Sequence, residues 1–436
     1  TSTNAILYSP LLYSTLLVSH LLLRQPMLWM AKHRSAATFA TFAALCKPSP
    51  PPLSLSSSPS FTPTLLFYSL RKTRAFATAH GTAMSTMNVE QPSISETIAR
   101  LRTTDVASKP RFLVLDGGTG EELFRRGVPD DRQIWSATAL VHEQHHDTLK
   151  QVHRSFLEAG AHCVTTNSYG VVPGVGFGPD EMSRLATLAG RIARQAVHEH
   201  QRDSDAAKSL YVLGSLGPLV ESYRADLIKP HDEGAALYQI LGSALGPHVD
   251  AYIAETMSCA KEALQVVQAL HDLATTDEGG EQSEVTFTPR PLLVSFTLGS
   301  DGNLRDGMSA PSSIRSLLDG SKTKGTGVEL IGILFNCAEP EAITKAVDEI
   351  NKDEELSSRL HSSGIVLGAY ANRLTPVDPN WTMADSDAAQ PFRNDLDEMQ
   401  YWKDFVHPWV SQNSLKLIGG CCGITPEHIE VIAKHT

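Results

Sequence analysis

Cys421 and Cys422, set between Gly419-Gly420 and Gly423, are the residues of this sequence best placed to do chemistry. Neighbouring side chains on an extended chain point to opposite sides. Glycines on both flanks permit a tight turn that aims both sulfurs at one point. A third cysteine, Cys337, closes the run Phe335-Asn336-Cys337. If the runs ending near 337 and 420 are parallel strands of one barrel, their ends open on the same face and the three sulfurs can meet. Three thiolates with an open fourth position describe a catalytic zinc site, Zn2+, rather than a closed structural one. The bland alternative is three buried cysteines packed as small hydrophobes. The glycine-flanked pair and the equivalent strand end favour the metal. Cys163, inside an apolar run, and Cys259, at a helix start, are expected to be ordinary core residues, and Cys46 to lie outside the fold.

Two carboxylates fall at comparable places, Asp116 after the first apolar run and Glu255 after the fourth. A charge at such a position is seldom left without a partner. On the open face of a barrel the two can receive the ammonium group of an amino acid. Asp116 precedes Gly117-Gly118-Thr119-Gly120, so capping of a following helix is its structural alternative.

The elements that must position these residues are legible as an alternation. Short apolar runs occupy 112–116, 163–167, 211–215, 251–255, 292–297, 331–336, 365–370 and 416–420. They are rich in Val, Ile and Leu and nearly continuous in apolarity, the pattern of parallel strands buried on both faces. Helical patterns lie at 145–159, 181–200, 231–249, 258–273, 340–351, 396–410 and 426–435. In the first, Leu149, Val152, Phe156 and Leu157 share one face. The expected fold class is therefore α/β, a (β/α)8 TIM-type barrel. A doubly wound open sheet is the alternative that strand counting leaves standing. Polar stretches 275–291 and 376–395 are expected to be loop insertions.

Composition sets the boundaries. Residues 1–89 contain seven Lys or Arg and no Asp or Glu, whereas 90–436 carry 30 bases against 48 acids, a balance of −18. So acidic a body repels a phosphate backbone, which argues against nucleic acid as a partner. Six cysteines in 436 residues do not make a disulfide scaffold. The apolar stretch 5–23 is broken by Ser9, Pro10, Ser14, Ser19 and His20, which argues against a membrane span. Residues 1–89 are expected to be a disordered, targeting or translated upstream leader, and 90–436 the barrel domain. The expected location is cytoplasmic, with mitochondrial import the lesser reading should the leader be genuine.

With these residues placed, the chain resembles the homocysteine S-methyltransferase family. The resemblance rests on seven pieces in order. They are Leu115-Asp116-Gly117-Gly118-Thr119-Gly120-Glu121-Glu122-Leu123 with Arg125-Arg126-Gly127, Thr165-Thr166-Asn167-Ser168-Tyr169 and Gly214-Ser215-Leu216-Gly217-Pro218. Glu255-Thr256, Asn336-Cys337, Tyr370-Ala371-Asn372 and Gly419-Gly420-Cys421-Cys422-Gly423 complete the series. The resemblance implies zinc on Cys337, Cys421 and Cys422, and the homocysteine amino group on Asp116 and Glu255. It further implies Asn336, Tyr370 and Asn372 as lining residues near the methyl donor. The donor it suggests is a sulfonium, S-methylmethionine or S-adenosylmethionine, with methionine as product.

Three rivals stand beside this. The first reads the loop 117–120 as a cofactor-binding turn of an open-sheet methyltransferase, which leaves the cysteine pair unexplained. The second is a non-catalytic zinc or thiol sensor on a barrel. The third keeps the barrel chemistry but accepts another thiol or a selenol such as selenocysteine.

Overall fold

A computed structural model describes residues 91–436, apart from 104–110, 132, 205–207, 277–286, 288, 323–327 and 376–390. The leader, Cys46 and most of the two expected insertions lie outside the described residues.

The chain opens with helix α1 (Ile94–Arg102), started by a capping box in which Ser93 and Glu96 satisfy each other's backbone N–H groups. Strand β1 (Leu113–Val114) leads into α2 (Thr119–Arg125), α3 (Thr138–Val141) and α4 (His146–Glu158). Then follow β2 (Cys163–Thr165), α5 (Pro179–Asp203), β3 (Tyr211–Leu216) and α6 (His231–Leu245). Next are β4 (Ala251–Met257), α7 (Ala260–Thr276), β5 (Leu292–Phe296) and α8 (Ala310–Lys322). Strand β6 (Leu330–Asn336) precedes α9 (Pro340–Lys352) and α10 (Glu354–Ser362). The last units are β7 (Val366–Tyr370), α11 (Glu398–Tyr401), α12 (His407–Ser411), β8 (Leu417–Ile418) and α13 (Pro426–Ala433).

All eight expected strands form, and every pairing is parallel, in the order β1-β8-β7-β6-β5-β4-β3-β2. The remaining seam, β1 to β2, is joined by the His162 N–H donating to the Val114 carbonyl at 2.7 Å. The Val114 N–H in turn donates to His162 Nδ1 at 3.1 Å. The result is a nearly closed (β/α)8 barrel rather than an open sheet.

Because side chains alternate along a strand, each strand supplies two cores. Val114, Val164, Val212, Val294, Ile333 and Ala369 pack outward among the helices. Leu115, Cys163, Leu213, Ile253, Leu293 and Leu417 fill the interior, so Cys163 is core as expected. Ile94 and Ile98 of α1, one turn apart, join that inner cluster and plug it. Each such side chain taken fully from water contributes about 1.5–3 kcal/mol. Cys259 is likewise buried, just before α7.

Two helical expectations need correction. The pattern 396–410 is not one helix: a π-helical turn, Trp402–Val406, separates α11 from α12. Helices α1, α2, α3, α8 and α10 were not expected from the sequence; in α8 serines separate the few buried apolar residues, Ala310, Ile314, Leu317 and Leu318.

Candidate active site at the carboxyl ends of the strands

Along the interior positions the chemistry changes from apolar to polar toward the strand ends. Thr165 on β2, Ser215 on β3, Glu255 on β4, Ser295 on β5 and Tyr370 on β7 succeed the aliphatic layer. Above them lies a cavity of about 200 Å³. At about 10–15 Å³ of such space per water, it has room for a small-molecule ligand. Its lining includes Asp116, Glu121, Trp135, Tyr169, Tyr223, Glu255, Tyr370 and all three candidate cysteines.

The cysteines meet as the sequence suggested. Cys337 follows β6 and Cys421-Cys422 follow β8, with their Sγ atoms all within 4.8 Å of one another. The Cys421 and Cys422 sulfurs are 4.0 Å apart. Three sulfurs on a tetrahedral zinc, each about 2.3 Å from it, stand about 3.8 Å from one another, so a small contraction suffices. The glycines perform the expected role. The Ile424 N–H donates to the Cys421 carbonyl at 3.1 Å, closing a turn whose third residue, Gly423, has φ +78°. That left-handed backbone favours glycine. At Gly420 a Cβ would come within 2.1 Å of Ile424. Among the thiols themselves, hydrogen bonds from Cys421 and Cys422 hold Cys337 well below the ordinary thiol range. The other two are correspondingly pushed up.

Asp116 and Glu255 both lie in this cavity, nearly excluded from solvent. The Thr165 N–H and hydroxyl donate to Asp116 at 2.7 and 2.9 Å. Burial nevertheless raises the Asp116 carboxyl to about 7. Glu255 accepts from the Ser215 hydroxyl and, at 3.3 Å, from the Tyr370 hydroxyl. Burial carries it to about 8, helped by nearby Cys337 and Asp116 and opposed by Ser215. Two uncompensated carboxyls facing one cavity suit a cationic ligand.

The expectation for the donor-side residues divides. Tyr370 lines the cavity; Asn336 and Asn372 are not among its lining residues. Asn336 is fully buried, with Oδ1 accepting from the Thr256 N–H and the Ser295 hydroxyl and Nδ2 donating to the Thr256 hydroxyl. Asn372 accepts from the Leu374 N–H at 3.2 Å. Sequence reasoning gave no role to Glu121, Trp135, Tyr169, Tyr223 or Thr256. Tyr169 stands edge-on to Trp135, the ring centres 5.8 Å apart. Glu121 and Tyr223 line the cavity beside the three cysteines. Among the described residues, five non-glycine positions have positive φ; four of them, Trp135, Tyr223, Thr256 and Cys337, line this cavity. Strain of that kind collects where function demands a fixed geometry, so the backbone marks the same place independently of the sulfurs.

Fold and site together define a barrel enzyme with a metal-competent thiol cluster at the carboxyl ends of its strands. A family model described as homocysteine S-methyltransferase matches residues 113–436. The chain belongs to that family of methyltransferases. The homocysteine S-methyltransferase of Escherichia coli (strain K12) is 26% identical over 336 residues, covering 74% of this chain and 95% of that protein. Homocysteine S-methyltransferase 1 of Arabidopsis thaliana is 28% identical over 353 residues, covering 74% and 92%. The crystal structure of the metallated homocysteine methyltransferase MmuM from Escherichia coli superposes with a TM-score of 0.57 at 21% identity. It covers 78% of this chain and 99% of that one, and shows the same fold. No described helix is long and apolar enough to cross a membrane.

Proposed function

We propose that this protein methylates homocysteine with a sulfonium donor, S-methylmethionine or S-adenosylmethionine, giving methionine at a zinc site formed by Cys337, Cys421 and Cys422. The observation that carries this is the convergence of three sulfurs within 4.8 Å beside two buried carboxyls. The donor set fits the ion: three soft thiolates leave one position for a fourth sulfur. That the solved relative MmuM has a metallated form supports the same reading. Zinc held there would keep the substrate sulfur deprotonated at neutral pH.

The chain's own residues then have distinct tasks. Asp116 and Glu255 receive the ammonium group, whose charge offsets the desolvation that otherwise keeps both carboxyls protonated. Thr165 fixes Asp116, while Ser215 and Tyr370 fix Glu255, so the α-carbon is held at a set distance from the cysteine cluster. An electron pair of the homocysteine sulfur forms the bond to the methyl carbon as the donor's S–CH3 bond breaks. The pair from the broken bond stays on the donor, which leaves as a neutral thioether. No side chain must remove a proton in that step, so the cavity acts chiefly by holding acceptor and donor in line.

The test is methionine formation by the full chain from homocysteine with each donor separately. Turnover with one of them identifies the donor, and absence of turnover with both sulfoniums contradicts the reading. Selenocysteine supplied in competition measures how far the site prefers a thiol.

A further inference from the structure

Arg305 lies on the loop after β5, at the carboxyl-end face of the barrel, with its guanidinium carbon 4.8 Å from the ring centre of Tyr223. Tyr223 lines the cavity together with Cys337. The loop is tied down: Gly299 donates to Asn303 at 2.8 Å, Leu304 to Met308 at 2.9 Å, and Arg305 itself to the Ser258 carbonyl at 3.2 Å. Ser258 directly follows the strand that carries Glu255, so the backbone at Arg305 is tied to the end of that strand.

This arginine lacks what a partly buried guanidinium ordinarily has. Arg154, Arg194, Arg315, Arg359 and Arg393 each form ion pairs. Arg305 has none among the described residues, and its buried Nε has no hydrogen-bond partner. Burying such a group unpaired is costly, and a planar fork of donors matches a carboxylate in two-point geometry.

We propose that Arg305, stacked on the cavity-lining Tyr223, is the carboxylate anchor for the amino-acid portion of a methionine-derived sulfonium donor. This rests on the sulfonium-donor reading above. The rest of the donor then runs along the wall that Tyr223 contributes, and the Arg305 guanidinium lies 4.8 Å from the centre of that ring. Homocysteine, held by its ammonium group at Asp116 and Glu255, occupies the interior side. S-methylmethionine and S-adenosylmethionine share the same α-carboxylate a few bonds from the sulfonium, so one anchor serves either.

The experiment uses the full chain and three donors: S-methylmethionine, S-adenosylmethionine and (3-aminopropyl)dimethylsulfonium, which has the sulfonium and ammonium but no carboxylate. Arg305→Gln is expected to raise KM for the carboxylated donor in use by about 10- to 100-fold, the range of a lost charge-assisted contact. KM for homocysteine and for the carboxylate-free donor should stay within about twofold, that is, without loss of such a contact. Arg305→Lys keeps the charge but not the fork, and should fall between wild type and Arg305→Gln. Its activity also guards against a variant that fails to fold. Equal effects on donors with and without the carboxylate, or a rise in KM for homocysteine, would overturn the proposal. Which carboxylated donor responds tells the two sources apart. Should the wild type turn over no sulfonium at all, the function proposed above fails by itself. Equilibrium dialysis of S-methylmethionine against the carboxylate-free analogue then decides on Arg305: a preference abolished by Arg305→Gln supports it, and equal binding refutes it.

Discussion

Asp116 and Glu255 are carboxyls that burial has moved to about 7 and about 8, and this gives the site a pH signature. In the empty protein they hold protons, between their ordinary values and these raised ones, that the unfolded chain has already released. Bound protons are then more numerous in the folded state, so stability falls as pH rises through that window. Ammonium binding needs the ionised forms, so affinity for homocysteine moves the opposite way and strengthens from pH 6 to 8. Asp116→Asn and Glu255→Gln should each raise KM for homocysteine by about 10- to 100-fold while raising the melting temperature near pH 8. Steady-state kinetics and thermal melts across pH check both signs; a KM flat with pH in the wild type would contradict the assignment. At this scale the sequence was most legible where residue type alone restricts the chemistry. A glycine-flanked cysteine pair has few ordinary uses, and a carboxylate ending an apolar run needs a partner. Trp135, Tyr223 and Thr256 were hidden, because left-handed backbone at non-glycine residues brings them to the cavity and no residue type announces it. Asn336 was legible as a strand-end residue, but not as one committed to Thr256 and Ser295 behind the cavity wall.

Among the elements, α4 shows how a correct pattern can contain a misfit. Its face of Leu149, Val152, Phe156 and Leu157 is buried as the periodicity requires, and His153 is buried with it. Neither ring nitrogen of His153 has a hydrogen-bond partner, and burial lowers its value to about 4. The unfolded chain protonates this histidine near 6.5 and the folded chain only near 4. The stability it permits is therefore complete above pH 6.5 and is lost as pH falls toward 4. His153→Leu should remove that loss, adding about 1–3 kcal/mol at pH 5 and little at pH 8, as read by denaturant unfolding at the two values. Equal gains at both would contradict the titration. The strands were legible because burial on both faces leaves unbroken apolar runs. Helices α1 and α8 escaped because two or three apolar positions among serines and charges make too short a stripe to register.

For the whole molecule the barrel separates stability from chemistry along its axis. Leu115, Leu213, Ile253 and Leu417 form the inner core, with Ile94 and Ile98 of α1 packed against it, while the titratable groups collect at the carboxyl ends of the strands. Ile98→Ala should therefore cost about 2–5 kcal/mol of stability and leave kcat essentially unchanged below its melting range. A matching loss of kcat in a folded variant would show that the two ends are coupled. The alternation of apolar runs with helical patterns made this architecture legible, and the count of eight favoured closure without excluding an open sheet. The seam between β1 and β2 was not, since it depends on His162 supplying both a backbone and a side-chain contact. The thiol cluster at the mouth of this barrel is the centre of the proposed chemistry. Its most direct test is metal content measured beside methionine formation on the full chain and on Cys421→Ser. About one zinc per wild-type chain is expected, with zinc and turnover lost together in a variant that keeps its fold. A folded, active wild-type protein without zinc, or a Cys421→Ser protein that retains both metal and turnover, would contradict it.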